Sequence, residues 1–262
     1  MTSFPPARLQ GKRALVTAGA QGIGDAITRA LLQAGCAVFV HYRSSREEAL
    51  RLVEAGRSWG VPCACGAADL TVPGESERLV AEAVQCLGGL DVLINNAGSL
   101  VARRSLVEAD DAFWDEVINL NVSTLRRVTR AAAPHLMAAA AVSGGASIVN
   151  LASLAGRKGG HGGSLAYSTA KGAVLTFTRA LANELGPRGV RVNAVAPGLI
   201  LGTSFHTTHT TPESAKATIA GIPINRAGTP EDVARAVVFL AGEYDGFITG
   251  ATLDINGGVY SA

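Results

Sequence analysis

RALVTAGAQGIG, residues 13–24, decides how this chain is read. RALVT is a short apolar run, AGAQGIG follows it, and an amphipathic stretch begins at Ile23. The order is strand, glycine turn, helix. Backbone N–H groups of such a turn can approach a pyrophosphate and present it to the positive end of the helix. Gly22 and Gly24 stand where a side chain would block that approach. A tight packing turn would use the same glycines, but the position of this one, opening a βαβ unit, favours the phosphate reading.

Outward from that turn, apolar runs predict strands near residues 14–17, 37–41, 63–67, 92–95, 147–151, 190–195 and 252–255. Helical patterns fall between them, at 23–34, 46–59, 74–87, 111–137, 167–185 and 230–241. This alternation predicts an α/β fold: a Rossmann-type, doubly wound parallel sheet of about seven strands with helices on both faces. No internal repeat or linker interrupts residues 1–262, and α/β chains of this length often form one domain. Residues 201–226, rich in Thr and His and containing Pro212 and Pro223, form an irregular stretch expected to be a substrate loop or lid, with a short helix near 213–220.

Composition narrows the function. Hydrophobic residues make up 48% of the chain, enough for a large core, and the net charge is only +2. No basic stripe suggests nucleic acid, and no apolar run is long enough for a membrane span. The first twelve residues lack the apolar centre of a secretory signal, so a cytoplasmic protein is expected. Cys36, Cys63, Cys65 and Cys86 lack zinc-like spacing and read as buried reduced thiols. His206 and His209, three apart, lack a third ligand, so no metal is expected.

The stretch YSTAK places Tyr167 and Lys171 four apart, on one face of a helix. A free phenol titrates near pH 10, and a neighbouring ammonium would stabilise its phenolate and lower that value. Many helices carry such a pair by chance. Here TAGAQGIG, NNAG at 95–98, Ser153 and YSTAK occur together, and their order resembles that of the short-chain dehydrogenases/reductases. The resemblance covers nearly the whole chain, extending to Asp69, Asn121 in INLNV, the Pro197-Gly198 turn after VRVNAVA, and ITGATLDINGG near the end.

What the resemblance implies is a catalytic set of Asn121, Ser153, Tyr167 and Lys171. Tyr167 would move the proton between enzyme and substrate oxygen, and Lys171 would lower its pKa and bind the nicotinamide ribose. Ser153 would hydrogen-bond the substrate oxygen, and Asn121 would continue a proton relay through water. The implied cofactor set is Thr17, Gly19, Gln21, Gly22, Ile23, Gly24, Tyr42, Arg43, Ser44, Asp69, Leu70, Asn95, Ala97, Gly98, Tyr167, Lys171, Pro197, Gly198 and Ile200. Within it, Asp69 is expected at the adenine amino group, with the N-cap of the next helix as its alternative role. Asn95 would also brace the central sheet. His161, His206 and His209 are candidate substrate contacts.

Three departures from the family pattern stand out. Ala18 occupies a usual glycine position; Ser153 and Tyr167 are one residue further apart than is common, across a glycine-rich and therefore pliable GRKGGHGGSLA; and Gly202 replaces a usual Thr, with Thr203 next.

The expected activity is nicotinamide-dependent interconversion of a carbonyl and a secondary alcohol. Within the family the chain most resembles the 3-oxoacyl carrier-protein reductase type; sugar and polyol dehydrogenases share its motifs. A regulatory protein that binds a nucleotide without turnover is the reading from another class, and the intact catalytic set argues against it. Cofactor choice turns on AVFVHYRSSREE. An NAD site usually has Asp or Glu about 20 residues after the glycine motif, whereas Tyr42, Arg43 and Ser44 stand here, so NADP(H) is favoured and NAD(H) remains possible. The partner is a small-molecule carbonyl or alcohol. Small and apolar residues over 111–137 and 167–185 also fit helix pairing between subunits, and the family resemblance implies a homotetramer.

Overall fold

In β1 (Arg13–Val16), Ala14 and Val16 point to one side of the sheet and Leu15 to the other, and all three are buried. A strand buried on both faces must be covered by helices on both faces, which is the signature of a parallel α/β sheet. The computed structural model describes residues 9–203, 211–242 and 246–261. β1 is followed by α1 (Gly22–Gln33), β2 (Ala37–Tyr42), α2 (Arg46–Ser58), β3 (Cys63–Ala67), α3 (Glu75–Leu87) and β4 (Val92–Asn95). Next come α4 (Asp111–Ile118), a π-turn (Asn119–Ser123), α5 (Thr124–Ser143), β5 (Ala146–Leu151), α6 (Leu154–Lys158), α7 (Leu165–Leu185) and β6 (Val190–Pro197). The chain ends with α8 (Pro212–Ala220), α9 (Pro230–Ala241) and β7 (Thr252–Ile255).

The seven strands are ordered β3-β2-β1-β4-β5-β6-β7 and every pair is parallel. Winding proceeds outward from β1 to β3, then restarts at β4 on the other side of β1. That reversal opens a crevice at the carboxyl ends of β1 and β4, where α/β sheets bind ligands. One face packs Val16, Val38 and Ile94 against Ile27 and Leu31 of α1 and Val233 and Val237 of α9. The other packs Leu15, Phe39, Leu93 and Ile148 against Leu79 of α3, Val128 and Leu136 of α5, and Leu185 of α7.

Strand and helix positions follow the apolar pattern, with three differences. The helix expected over 111–137 is two helices joined by the π-turn, and the second continues to Ser143. In the widened turn, the Asn121 side chain donates to Val117 O at 2.9 Å and Thr124 Oγ1 donates to Leu120 O at 2.6 Å, so side chains satisfy main-chain carbonyls where the helix changes pitch. The short helix α6 occupies part of the segment expected to be pliable. The rest of that segment is pinned: Ser168 Oγ donates to Gly159 O at 2.7 Å, Arg103 Nη1 to Gly162 O at 3.2 Å, and Arg104 N to Gly163 O at 3.0 Å. Of the thiols, Cys36 is buried just ahead of β2, Cys63 and Cys65 are half-buried and Cys86 is exposed, which corrects the expectation of burial for all four.

The glycine turn keeps its path despite Ala18. That residue takes φ +48°, the left-handed region that a Cβ disfavours. Its N–H donates to His41 Nδ1 at 2.9 Å, and its carbonyl accepts from Asn96 Nδ2 at 2.9 Å. A Cβ on Gly24 would overlap that same carbonyl, so the start of α1 lies directly on the turn. Because the Ala18 strain of about 1–2 kcal/mol exceeds the about 0.4–1 kcal/mol by which alanine restricts the unfolded chain, Ala18→Gly is expected to stabilise the protein by up to about 1 kcal/mol. Urea denaturation checks this, and a destabilisation of that size would show that the methyl group is needed there.

Candidate active site

Strand ends bring the candidate residues together. At the end of β1, Thr17 is buried, and its hydroxyl donates to Ile94 O at 3.3 Å while accepting from Asn96 N at 2.9 Å and Ala97 N at 3.0 Å. This one side chain ties the glycine turn to the NNAG turn. Asn95 braces the sheet from inside, donating to Thr129 Oγ1 at 3.0 Å and Asn150 Oδ1 at 2.9 Å. Asn150 in turn donates to Thr178 Oγ1 at 3.0 Å on α7.

Asn121, Lys171 and Gly98 converge next to these turns. A Cβ on Gly98 would lie 2.6 Å from Asn121 Oδ1 and 3.0 Å from Lys171 Nζ, so only glycine admits both groups. Asn121 is fully buried; its Nδ2 donates to Ser99 O at 2.8 Å and Val117 O at 2.9 Å, and its Oδ1 accepts from Ser99 N at 3.1 Å. The amide is thus first a brace for the loop after β4, with acceptor capacity left on an oxygen that has two lone pairs. Lys171 is 4% exposed and donates to Leu151 O at 2.7 Å.

Ser153 serves two neighbours. As N-cap of α6 its Oγ accepts from Ala155 N at 3.1 Å, and its hydroxyl also hydrogen-bonds the Tyr167 phenol. Tyr167 packs with Phe113, Val117, Ala166 and Ala170, and Lys171 Nζ lies 5.8 Å from the centre of its ring. Burial pushes the Tyr167 phenol up to about 12, with the Ser153 hydrogen bond opposing part of the rise. Burial also pushes the Lys171 ammonium down to about 8. The ammonium donates to Leu151 O, and burial is the larger influence on the phenol.

The other candidates surround this centre. Gly22 carries φ +50°, and the first turn of α1 has no side-chain cap, so its N–H groups are presented as an anion cradle requires. Ile23 begins the buried face of α1, while the Gln21 side chain donates to Ser45 Oγ. Tyr42 is half-buried at the end of β2, and Arg43 and Ser44 are exposed just beyond it. Asp69 Oδ1 accepts from Thr71 N at 3.0 Å and Thr71 Oγ1 at 2.5 Å, bonds that hold its carboxyl below the usual range. It caps its own turn; α3 starts only at Glu75, with Gly74 as N-cap, so the N-cap alternative for Asp69 is not realised. Leu70 is buried beside it.

Pro197 ends β6 with Gly198 just beyond it, and Ile200 pairs with Gly228 in an isolated bridge. Thr203 is buried, donates to Ile200 O at 3.2 Å, and lies where a Cβ on Gly22 would be 3.3 Å from its methyl group. The segment after β6 therefore covers the glycine turn. His161 is exposed in the turn before α7, and its carbonyl accepts from Ser164 N at 3.1 Å. His206 and His209 lie outside the described residues. Among the described residues no cluster of three or more potential metal ligands occurs. Asn96 and α6 were not singled out from the sequence. Asn96 is a second polar residue in NNAG, a readable signal, whereas α6 depends on long-range anchoring of Arg157 to Asp254 at 3.0 and 3.1 Å.

The family described as Enoyl-(Acyl carrier protein) reductase matches residues 17–260. A 3-oxoacyl-[acyl-carrier-protein] reductase of Staphylococcus aureus is 35% identical over 249 residues, covering 95% of this chain and 98% of that protein. Among solved structures, an NADH-dependent reductase, A1-R′, complexed with NAD has a TM-score of 0.86 at 35% identity, covering 97% of this chain and 98% of its own. A short-chain dehydrogenase from Burkholderia cenocepacia in complex with NADP has a TM-score of 0.88 at 33% identity, covering 97% and 100%. With this match spanning the glycine turn, the strand-end residues and the Tyr167–Lys171 helix, the chain belongs to the short-chain dehydrogenase/reductase family and is a nicotinamide-dependent carbonyl oxidoreductase.

Proposed function

We propose that the protein reduces a ketone to a secondary alcohol with Tyr167 as proton donor, a 3-oxoacyl thioester being the substrate class favoured by its relatives. The observation that carries this reading is the Ser153 hydroxyl hydrogen-bonded to the Tyr167 phenol, with the Lys171 ammonium 5.8 Å from the centre of the ring. A phenol is protonated at neutral pH, and an alkoxide developing on the substrate is a far stronger base. A bound nicotinamide supplies the hydride. Ser153 orients the carbonyl oxygen and Tyr167 delivers the proton. Lys171 places a positive charge next to the reacting oxygen and offers its remaining donors to a ribose. Asn121 fixes the loop carrying Ser99 and, through its amide oxygen beside Gly98, is placed to continue a relay from Lys171. A sugar or polyol dehydrogenase would use the same set, and substrate comparison separates the two.

Tyr167→Phe keeps the ring and deletes the proton. Reduction of acetoacetyl thioester, followed by nicotinamide absorbance, is expected to fall by about 10²–10⁴-fold in kcat, with cofactor affinity nearly unchanged. Near-normal turnover in the folded variant would remove Tyr167 from the mechanism.

For the cofactor, Arg43 and Ser44 support NADP(H). Exposed at the end of β2, Arg43 offers a permanently charged fork to a 2′-phosphate, and no carboxylate occupies positions 42–44. Arg43→Ala is expected to weaken NADPH binding by about 1.5–3 kcal/mol and to leave NADH binding nearly unchanged. Equal losses with both cofactors, or an NADH preference in the parent protein, would overturn the assignment.

No described helix is long and apolar enough to cross a membrane, and we place the protein in the cytoplasm as a homotetramer. Ala138 on α5 and Ala173 and Ala180 on α7 are exposed small residues that permit close helix pairing between copies. Light scattering at micromolar concentration is expected to give the mass of four chains; a stable monomer would reject this.

A further inference from the structure

His41 ends the apolar run of β2 with its side chain buried, only 3% exposed. Its ring Nδ1 accepts from Ala18 N at 2.9 Å, its carbonyl accepts from Gly19 N at 2.8 Å, and its ring Nε2 lies 3.0 Å from Ala68 O. These partners fix the tautomer. A main-chain N–H only donates, so Nδ1 carries the lone pair; a carbonyl only accepts, so Nε2 carries the proton. One residue thereby holds two successive N–H groups of the glycine turn and ties that turn to the residue before Asp69. Ala18 is also the turn residue forced to φ +48° without glycine's freedom, so its conformation depends on what holds it.

We propose that His41 is a positioning residue for the dinucleotide, its neutral imidazole holding Ala18 in the shape that admits the pyrophosphate and releasing it when Nδ1 is protonated. Protonation turns the acceptor into a donor facing the Ala18 N–H. The two groups then repel, the turn opens, and cofactor affinity falls in acid. The inference rests on the reading of the glycine turn as the dinucleotide site.

The charges acting on the ring come from two places: Asp69, beyond the end of β3, favours imidazolium, and Arg78, on α3, opposes it. Arg78 is anchored next door, with Nη2 donating to Ala67 O at 2.6 Å. From the glycine turn the ring meets main-chain groups. Burial dominates and holds His41 below the usual histidine range. The neutral form therefore persists through neutrality, and the loss of affinity belongs below about pH 6.5.

Fluorescence titration of the whole protein with NADPH and separately with NADH, from about pH 8 to about pH 5, tests this against two variants. His41→Asn places an amide oxygen where Nδ1 lies and has no proton to gain. His41→Leu has no acceptor. In the parent protein both affinities are expected to fall as the pH drops through the acid range, by up to about tenfold, the loss of one hydrogen bond to the turn. His41→Asn is expected to bind within about threefold of the parent at pH 8 and to stay flat in acid, while His41→Leu binds about tenfold more weakly yet keeps kcat at saturating cofactor. Circular dichroism at each pH reports folding, and if the Leu variant fails to fold, the Asn comparison decides alone. An identical acid course in parent and His41→Asn would overturn the proposal. So would an acid loss seen with NADPH but not NADH, since that titration belongs to the 2′-phosphate. Failure of the parent protein to bind either cofactor at pH 8 would instead defeat the reading of the turn on which the proposal rests.

Discussion

A lysine ammonium buried beside a phenol is the constraint around which the site is built. Moving a charge out of water is costly unless its hydrogen bonds are replaced, and a Lys171 that is 4% exposed has Leu151 O at 2.7 Å as its protein acceptor. That carbonyl lies one residue beyond Asn150, the last residue of β5 that pairs with β4. The lysine thus depends on the strand ending there, and the strand order places that end beside β4 and the crevice. Desolvation acts on both groups of the pair, pushing the ammonium down to about 8 and the phenol up to about 12, toward neutrality in each case.

Much of this was legible in the sequence because the central parallel strands, buried on both faces, carry short apolar runs such as ALV in β1, AVFV in β2 and VLI in β4. The glycine turn was legible for a similar reason: β1, the turn and α1 are contiguous, and the geometry is local. The errors were of another kind. Asn119 and Asn121 fall within a continuous helical pattern in which Asn is a mediocre helix former, but the reach of Asn121 across to Ser99 is not a local property. The short helix after Ser153 depends on Arg157 finding Asp254 on β7, 97 residues away. The segment read as pliable from its glycines is held by Ser168, Arg103 and Arg104, one of them in the following helix and two in a loop that sequence spacing does not place nearby.

The pKa of Tyr167 shows the same limit more sharply. A spacing of four residues correctly predicts that the phenol and ammonium share a helix face, and Coulomb's law then argues for a lowered phenol. Burial is not a local property of YSTAK; it depends on a cluster that includes Phe113 and Val117 of α4, against which Tyr167 packs.

The departure at Ala18 illustrates how such a site tolerates an unfavourable residue. A left-handed alanine is held by two hydrogen bonds, one from Asn96 of the NNAG turn to its carbonyl and one from its N–H to His41 of β2. One anchoring side chain comes from β2 and the other from the turn after β4, the two strands that flank β1, so the turn is clamped from either side of the topological reversal. Thr17 adds a third tie through Asn96 N and Ala97 N. A glycine turn of this kind is therefore shaped less by its own flexibility than by side chains from neighbouring strand ends. The same three strand ends form the crevice, which means that whatever fixes the turn also fixes where a dinucleotide can lie.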